Sequence, residues 1–152
     1  RGPQIILSRA DVNSVKVLFQ QEVPEIENGT VEIKAIAREA GRRTKIAVSS
    51  LVTGVDPVGT FVGGKGGRVH AVMNEIGDPE KIDIVAFDDD TKNFIANALS
   101  PAEISRIDIN EDEKKATVFV PESQQSIAIG KQGQNVRLAS QITGYELDIT
   151  TE

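Results

Sequence analysis

Gly63-Gly64-Lys65-Gly66 and Gly130-Lys131-Gln132-Gly133 are two copies of one pattern in a chain of 152 residues. Setting Gly63 on Gly130 aligns Val62 with Ile129, Gly66 with Gly133, Val69 with Val136 and Gly77 with Gly144 without a gap. A two-residue deletion then brings Ile82-Asp83-Ile84 onto Leu147-Asp148-Ile149. A duplicated unit restricts architecture more tightly than any isolated helix or strand, because both copies must fold alike. The chain therefore reads as two related modules, residues 1–88 and 89–152.

Periodicity supplies the elements. Ser8-Arg9-Ala10-Asp11 reads as a capping box with Leu7 stapled onto Val12, and Val12, Val15 and Phe19 recur at helical spacing, so a helix is expected from about residue 8 to 22, ended by Pro24. Val31, Ile33, Ala35 and Ala37 alternate with Glu32, Lys34, Ile36 and Arg38 as in a half-buried strand, and Gly41 turns the chain back into a second strand, Lys45 to Ser49. Val58 to Val62 leads into the first glycine corner, after which Val69, Val72, Met73 and Ile76 mark another helix that Gly77 stops. Residues 82–87 close the module as a strand. The same order recurs: Phe94, Ile95, Ala98 and Leu99 on a helix, a hairpin from Ile104 to Ile109 and Ala116 to Val120, helices on both sides of Gly130-Gly133, and a last strand at Tyr145, Leu147 and Ile149. The fold class is α+β, with α-β-β-α-α-β in each module. Modules of about 60 residues bury only roughly 60% of their unfolded surface, and the joint from Asp88 to Thr91 reaches little more than about 10 Å. The two are expected to pack together and present one continuous surface.

Composition closes off several chemistries. There are no cysteines and one histidine, His70, so no disulfide, zinc cluster or Cys/His or Ser/His triad is available. No apolar run is long enough to span a bilayer, and residues 1–3 lack the apolar core of a secretory signal, which leads to the expectation of a soluble cytoplasmic protein. An arginine at position 1 suggests a segment of a longer chain. The net charge is −6, but residues 34–68 carry Lys34, Arg38, Arg42, Arg43, Lys45, Lys65 and Arg68 against Glu39 and Asp56, a basic stripe, whereas residues 89–152 net −5.

A glycine corner between two helices exposes amides at the start of the second helix, and these donors together with the helix dipole attract phosphate. Lys65 and Lys131 lie between the bounding glycines as point charges for phosphate oxygens. A single Gly-x-x-Gly is usually a plain helix–helix turn; two copies in matching contexts favour backbone clamping. Neither Gly-x-x-x-x-Gly-Lys-Ser/Thr nor Gly-x-Gly-x-x-Gly is present, so a nucleotide-binding loop is excluded.

Val62-Gly63-Gly64-Lys65-Gly66-Gly67-Arg68-Val69 and Ile129-Gly130-Lys131-Gln132-Gly133-Gln134-Asn135-Val136-Arg137-Leu138-Ala139 resemble the KH motif. Residues 1–9, 22–26, 55–59 and 96–102 further resemble the tandem KH region of the NusA family of bacterial transcription factors, so the resemblance spans essentially the whole chain. It implies type II KH folds, each a three-stranded sheet backed by helices. It also implies binding of single-stranded nascent RNA during elongation, pausing, termination and antitermination, with RNA polymerase engaged through domains absent from this chain. Bases are expected in an aliphatic groove formed by Val62, Val69 and Ile84 in one module and Ile129, Val136 and Ile149 in the other, at about four nucleotides each. The RNA-binding set implied is Gly63, Gly64, Lys65, Gly66, Arg68, Val69, Ile84, Gly130, Lys131, Gln132, Gly133, Gln134, Asn135, Arg137 and Ile149. With aromatics at 4%, stacking is not expected to dominate. The family often has proline or alanine where Gly64 and Gly67 stand, which implies a looser first loop.

Weaker candidates are read beside their ordinary roles. Arg42, Arg43 and Lys45 at the hairpin turn are either phosphate contacts or solvated surface, Asp88-Asp89-Asp90 is a helix cap in preference to a cation site, and His70 is a surface histidine. No catalytic group, metal or cofactor is expected, and the chain is expected to be monomeric. The alternative function is a protein-interaction module in which one KH unit, the acidic second, docks polymerase or a regulatory factor and has lost RNA.

Overall fold

The computed structural model describes residues 13–77 and 80–152. The capping box, its staple to Val12 and the stretch 1–9 lie outside the described residues. The chain divides into two compact units, Arg1–Ile84 and Val85–Glu152.

In the first unit, α1 (residues 13–22) buries Val15 and Phe19 completely. Pro24 ends it as expected and opens a further short helix, α2 (Pro24–Glu27). β1 (Val31–Glu39) and β2 (Arg43–Ser50) form an antiparallel hairpin from Val31 opposite Ser50 to Glu39 opposite Arg43, and β3 (Lys81–Ala86) lies on the other side of β2. α3 (Pro57–Val62) and α4 (Gly67–Ile76) flank the glycine corner. Phe19 and Phe61 meet with ring centroids 5.8 Å apart in a core shared with Val31, Ile46, Val48 and Val72. Strict alternation along β1 put Ile36 on the solvent side. The register shifts between Ile33 and Ala35, and this bulge turns Ile36 onto the same core as Ile33.

The second unit repeats the order. α5 (Thr91–Ala98) is capped by Asp90, whose carboxylate accepts from the Lys92 amide at 3.1 Å, the cap expected of the aspartate run. β4 (Arg106–Asn110) pairs antiparallel with β5 (Lys115–Val120), and β6 (Glu146–Thr151) runs parallel to β5 on its other side. α6 (Gln125–Ile129) follows a 3₁₀ turn at Glu122–Gln124, and α7 (Gln134–Thr143) ends at Gly144, in the left-handed conformation at φ 78°. Val118, Val120, Leu138 and Ala139 are fully buried. The division between units falls inside β3, ahead of the boundary drawn after Asp88. The end of that strand contacts α5: the Ala86 carbonyl accepts from Asn97 Nδ2 at 3.1 Å, and the Phe87 ring meets Phe94 edge-on at 4.9 Å. Each unit thus has one three-stranded sheet and helices in the order α-β-β-α-α-β, with α2 an added turn in the first.

Candidate nucleic-acid interface

The two glycine corners have one backbone conformation. Gly63 and Gly130 both sit at φ 80°, ψ 169°; Lys65 and Gln132 are left-handed at φ 55° and 58°; Gly66 and Gly133 follow at φ 74° and 75°. The first pair occupies a region open essentially to glycine alone. Space makes the same demand: a Cβ on Gly63 would lie 2.8 Å from Arg68 Cγ and 2.9 Å from its backbone nitrogen, and one on Gly130 would lie 2.7 Å from both Cβ and N of Asn135. The leading glycine thus lets the corner close onto its own second helix. Gly66 N–H donates to the Gly63 carbonyl at 3.0 Å and Gly133 N–H to Gly130 at 3.1 Å, tightening each turn.

At the tips, Gly64, Lys65, Lys131 and Gln132 are exposed. The two lysines are not equivalent. Lys131 aligns with Gly64 and Lys65 with Gln132, so the cation precedes the left-handed residue in one corner and is that residue in the other. His70 and Arg137 occupy matching positions and are exposed, and each reaches over the second glycine of its corner, His70 Cδ2 standing 3.4 Å from a Cβ built on Gly66 and Arg137 Nη1 3.6 Å from one on Gly133. Sequence reading left His70 aside, although the gapless alignment already set it on Arg137. Arg137 Nη1 also donates to the Gln132 carbonyl at 3.1 Å.

The expected groove residues, Val62, Val69 and Ile84 and likewise Ile129, Val136 and Ile149, are all half-buried, as is Gln134 at the start of α7. Arg68 and Asn135 both have partners within the protein. Arg68 Nη1 donates to the Thr60 carbonyl at 2.8 Å and to Glu25 Oε1 at 3.0 Å. Asn135 is 3% exposed, and its Nδ2 donates to the carbonyls of Leu99 at 2.9 Å and Ala128 at 3.0 Å. Both side chains turn back onto the protein behind their corners, with Arg68 still 30% exposed.

The basic stripe is also corrected. Arg38 forks onto Glu80 through Nε and Nη2 at 2.9 and 2.8 Å, and Glu80 accepts further from Thr44 and from the Gly41 amide at 3.0 Å. Arg43 and Lys45 both hold Asp83, at 2.8 and 3.1 Å, with the Lys45 side chain fully buried. Glu25, Glu80 and Asp83 lie outside residues 34–68, so a windowed charge count misses these pairings. Burial opposes ionisation of Glu80 and Asp83, yet the Arg38 fork with Thr44 and Gly41, and Arg43 with Lys45, outweigh it and hold both carboxyls below their usual range. Burial lowers the Lys45 amine despite Asp83. Lys65 and Lys131 make no ion pair among the described residues. Among those residues, too, no group of His, Asp or Glu is gathered to hold a metal, and no helix is long and apolar enough to cross a membrane.

A family model described as "NusA-like first KH domain" matches residues 9–87, and one described as "NusA-like second KH domain" matches residues 91–152. The chain belongs to the NusA-like KH family. Among curated relatives named "Transcription termination/antitermination protein NusA", it is 51% identical over 152 residues to that of Halalkalibacterium halodurans and 53% identical over 152 residues to that of Bacillus subtilis. These matches cover 100% of the chain but 40% and 41% of the relatives, so the chain spans about two fifths of a NusA protein's length. The Thermus thermophilus relative is 52% identical over 147 residues, 97% of the chain and 38% of the relative. A solved structure titled "Crystal structure of APE1850" superposes with a TM-score of 0.59 at 22% identity, covering 88% of this chain and 96% of the other, which supports the fold alone.

Proposed function

We propose that this NusA-like KH pair binds single-stranded RNA without catalysis, as the RNA-gripping part of a cytoplasmic factor that acts in transcription elongation, termination and antitermination. Each corner takes phosphate against the backbone of Gly63 to Gly66 or Gly130 to Gly133, with Lys65 or Lys131 as its cation. The aliphatic walls hold the bases, at about four nucleotides per module. The observation that carries this reading is the identity of the two corner conformations: two separate glycine turns, each with an exposed lysine, share one set of dihedral angles. Nascent RNA is the natural ligand on this reading, and polymerase is engaged by segments outside this chain. The protein acts as a monomer.

The acidic second module favours one competing reading, in which that unit docks a protein and has given up RNA. Separate lesions discriminate. Gly64→Asp with Lys65→Asp, and Lys131→Asp with Gln132→Asp, repel phosphate where nothing crowds Gly64 and where the second residue of each pair takes a left-handed conformation that aspartate tolerates. Each double variant is expected to stay folded and to weaken RNA binding. If the second leaves RNA binding unchanged and instead abolishes binding to polymerase, the competing reading replaces this one for that unit.

A further inference from the structure

We infer that the residue following each corner by two positions, Arg68 in the first module and Asn135 in the second, is a positioning residue that sets the corner from behind and does not itself touch RNA. The inference rests on the proposed RNA-binding reading for its functional consequence, but its geometry stands apart from it.

Arg68 and Asn135 are equivalent in the gapless alignment and share no chemistry beyond N–H donors. They nevertheless do the same thing. Each sends a donor back to the helix that precedes its own corner, Arg68 to the Thr60 carbonyl at 2.8 Å and Asn135 to the carbonyl of the matching residue, Ile127, at 3.4 Å and to the next, Ala128, at 3.0 Å. Those are carbonyls at the end of a short helix, left without partners within it. Each side chain is also the atom wall against which the leading glycine closes, since the Cβ that would clash at Gly63 or Gly130 clashes with residue 68 or 135. Each is then braced by a third element: Glu25 of α2 holds the Arg68 guanidinium at 3.0 Å, and Asn135 reaches the Leu99 carbonyl beyond α5 at 2.9 Å. A neutral amide replacing a guanidinium at a phosphate-binding position would forfeit the charge that such a position needs; at a pinning position the exchange is tolerated, because only the donor matters.

The test uses this chain with the second corner silenced by Lys131→Asp and Gln132→Asp, so that only the first module reports. Binding of an unstructured fluorescent oligoribonucleotide of about 12 nucleotides is followed over a range of salt concentrations for the parent, Arg68→Asn and Arg68→Ala, with amide hydrogen exchange of residues 64–69 measured on each. Arg68→Asn, the second module's own solution, is expected to bind within about threefold of the parent, and Arg68→Ala about tenfold more weakly, both with an unchanged salt slope, with faster exchange at the corner in Arg68→Ala alone. A slope flattened by about 0.7 in both variants, the signature of one phosphate fewer neutralised on a single strand, would make Arg68 an RNA ligand and overturn the inference. So would Arg68→Ala that binds like the parent with unchanged corner exchange. Should the parent itself ignore RNA, the functional reading fails, and the exchange rates alone still decide the positioning role.

Discussion

A methyl group on Gly130 would stand 2.7 Å from the backbone of the next helix, in a conformation open essentially to glycine, whereas one on Gly64 would meet nothing within 4 Å. A leading glycine and the glycine that follows it in the first corner therefore answer to different constraints. Gly130→Ala is expected to cost about 3 kcal/mol from strained backbone and overpacking together, and Gly64→Ala to stay within about 0.5 kcal/mol of wild type; urea melts of the two variants check this. The lysines carry the charge. Lys65→Ala and Lys131→Ala are each expected to flatten the salt dependence of RNA binding by about 0.7, the share of a single phosphate, with the melt unmoved. The duplication made the corners readable, down to which residues stand at the exposed tips. What it could not tell was direction: Arg68 and Asn135 sit beside the loop in sequence, yet their donors point to carbonyls that become neighbours only once α3 and α6 have formed.

Among the elements, β1, β2 and the approach to β3 are tied by two carboxylates. Glu80 takes Arg38, Thr44 and Gly41, and Asp83 takes Arg43 and Lys45. Both carboxyls are held below their ordinary values of 4.5 and 3.8, so each stabilises the first unit at pH values above those figures and loses that contribution as pH falls through the depressed folded-state value. Lys45 works the other way: its amine is held below 10.5, so burial of the charged form costs stability that returns as pH rises toward that value. Thermal melts from about pH 7 downward should show the first unit losing stability only in acid. Glu80→Gln, which removes the negative charge facing a guanidinium whose side chain is 7% exposed, should lower stability by about 3 kcal/mol at neutral pH and make the remaining acid loss shallower. The strands and both hairpins were legible from alternation and turns. The bulge at Lys34 was not, because an inserted residue leaves no mark on apolar spacing until its partner strand is placed, and so Ile36 was read onto the wrong face.

For the whole chain, the net charge of −6 and the apparent basic stripe gave conflicting advice about nucleic acid, and pairing resolves the conflict. Four of the stripe's seven cations are committed to Glu25, Glu80 and Asp83, and Lys34 and Arg42 stand 3.7 and 4.0 Å from Glu32 and Glu39, whereas Lys65 and, in the second corner, Lys131 make no ion pair among the described residues. On the proposed reading, binding by a few amides and one lysine per corner is weakly ionic, unlike binding by a cationic surface. Titrating the wild-type chain with an unpaired oligoribonucleotide across salt concentrations separates the two directly. The expected slope of log affinity against log salt is between about −1.4 and −2.1, two or three phosphates neutralised on a single strand, and replacing Gly64, Lys65, Lys131 and Gln132 together by aspartate should abolish binding while the melt stays in place. A slope of about −4 or steeper, or undiminished binding by the aspartate variant, would contradict backbone clamping at the two corners.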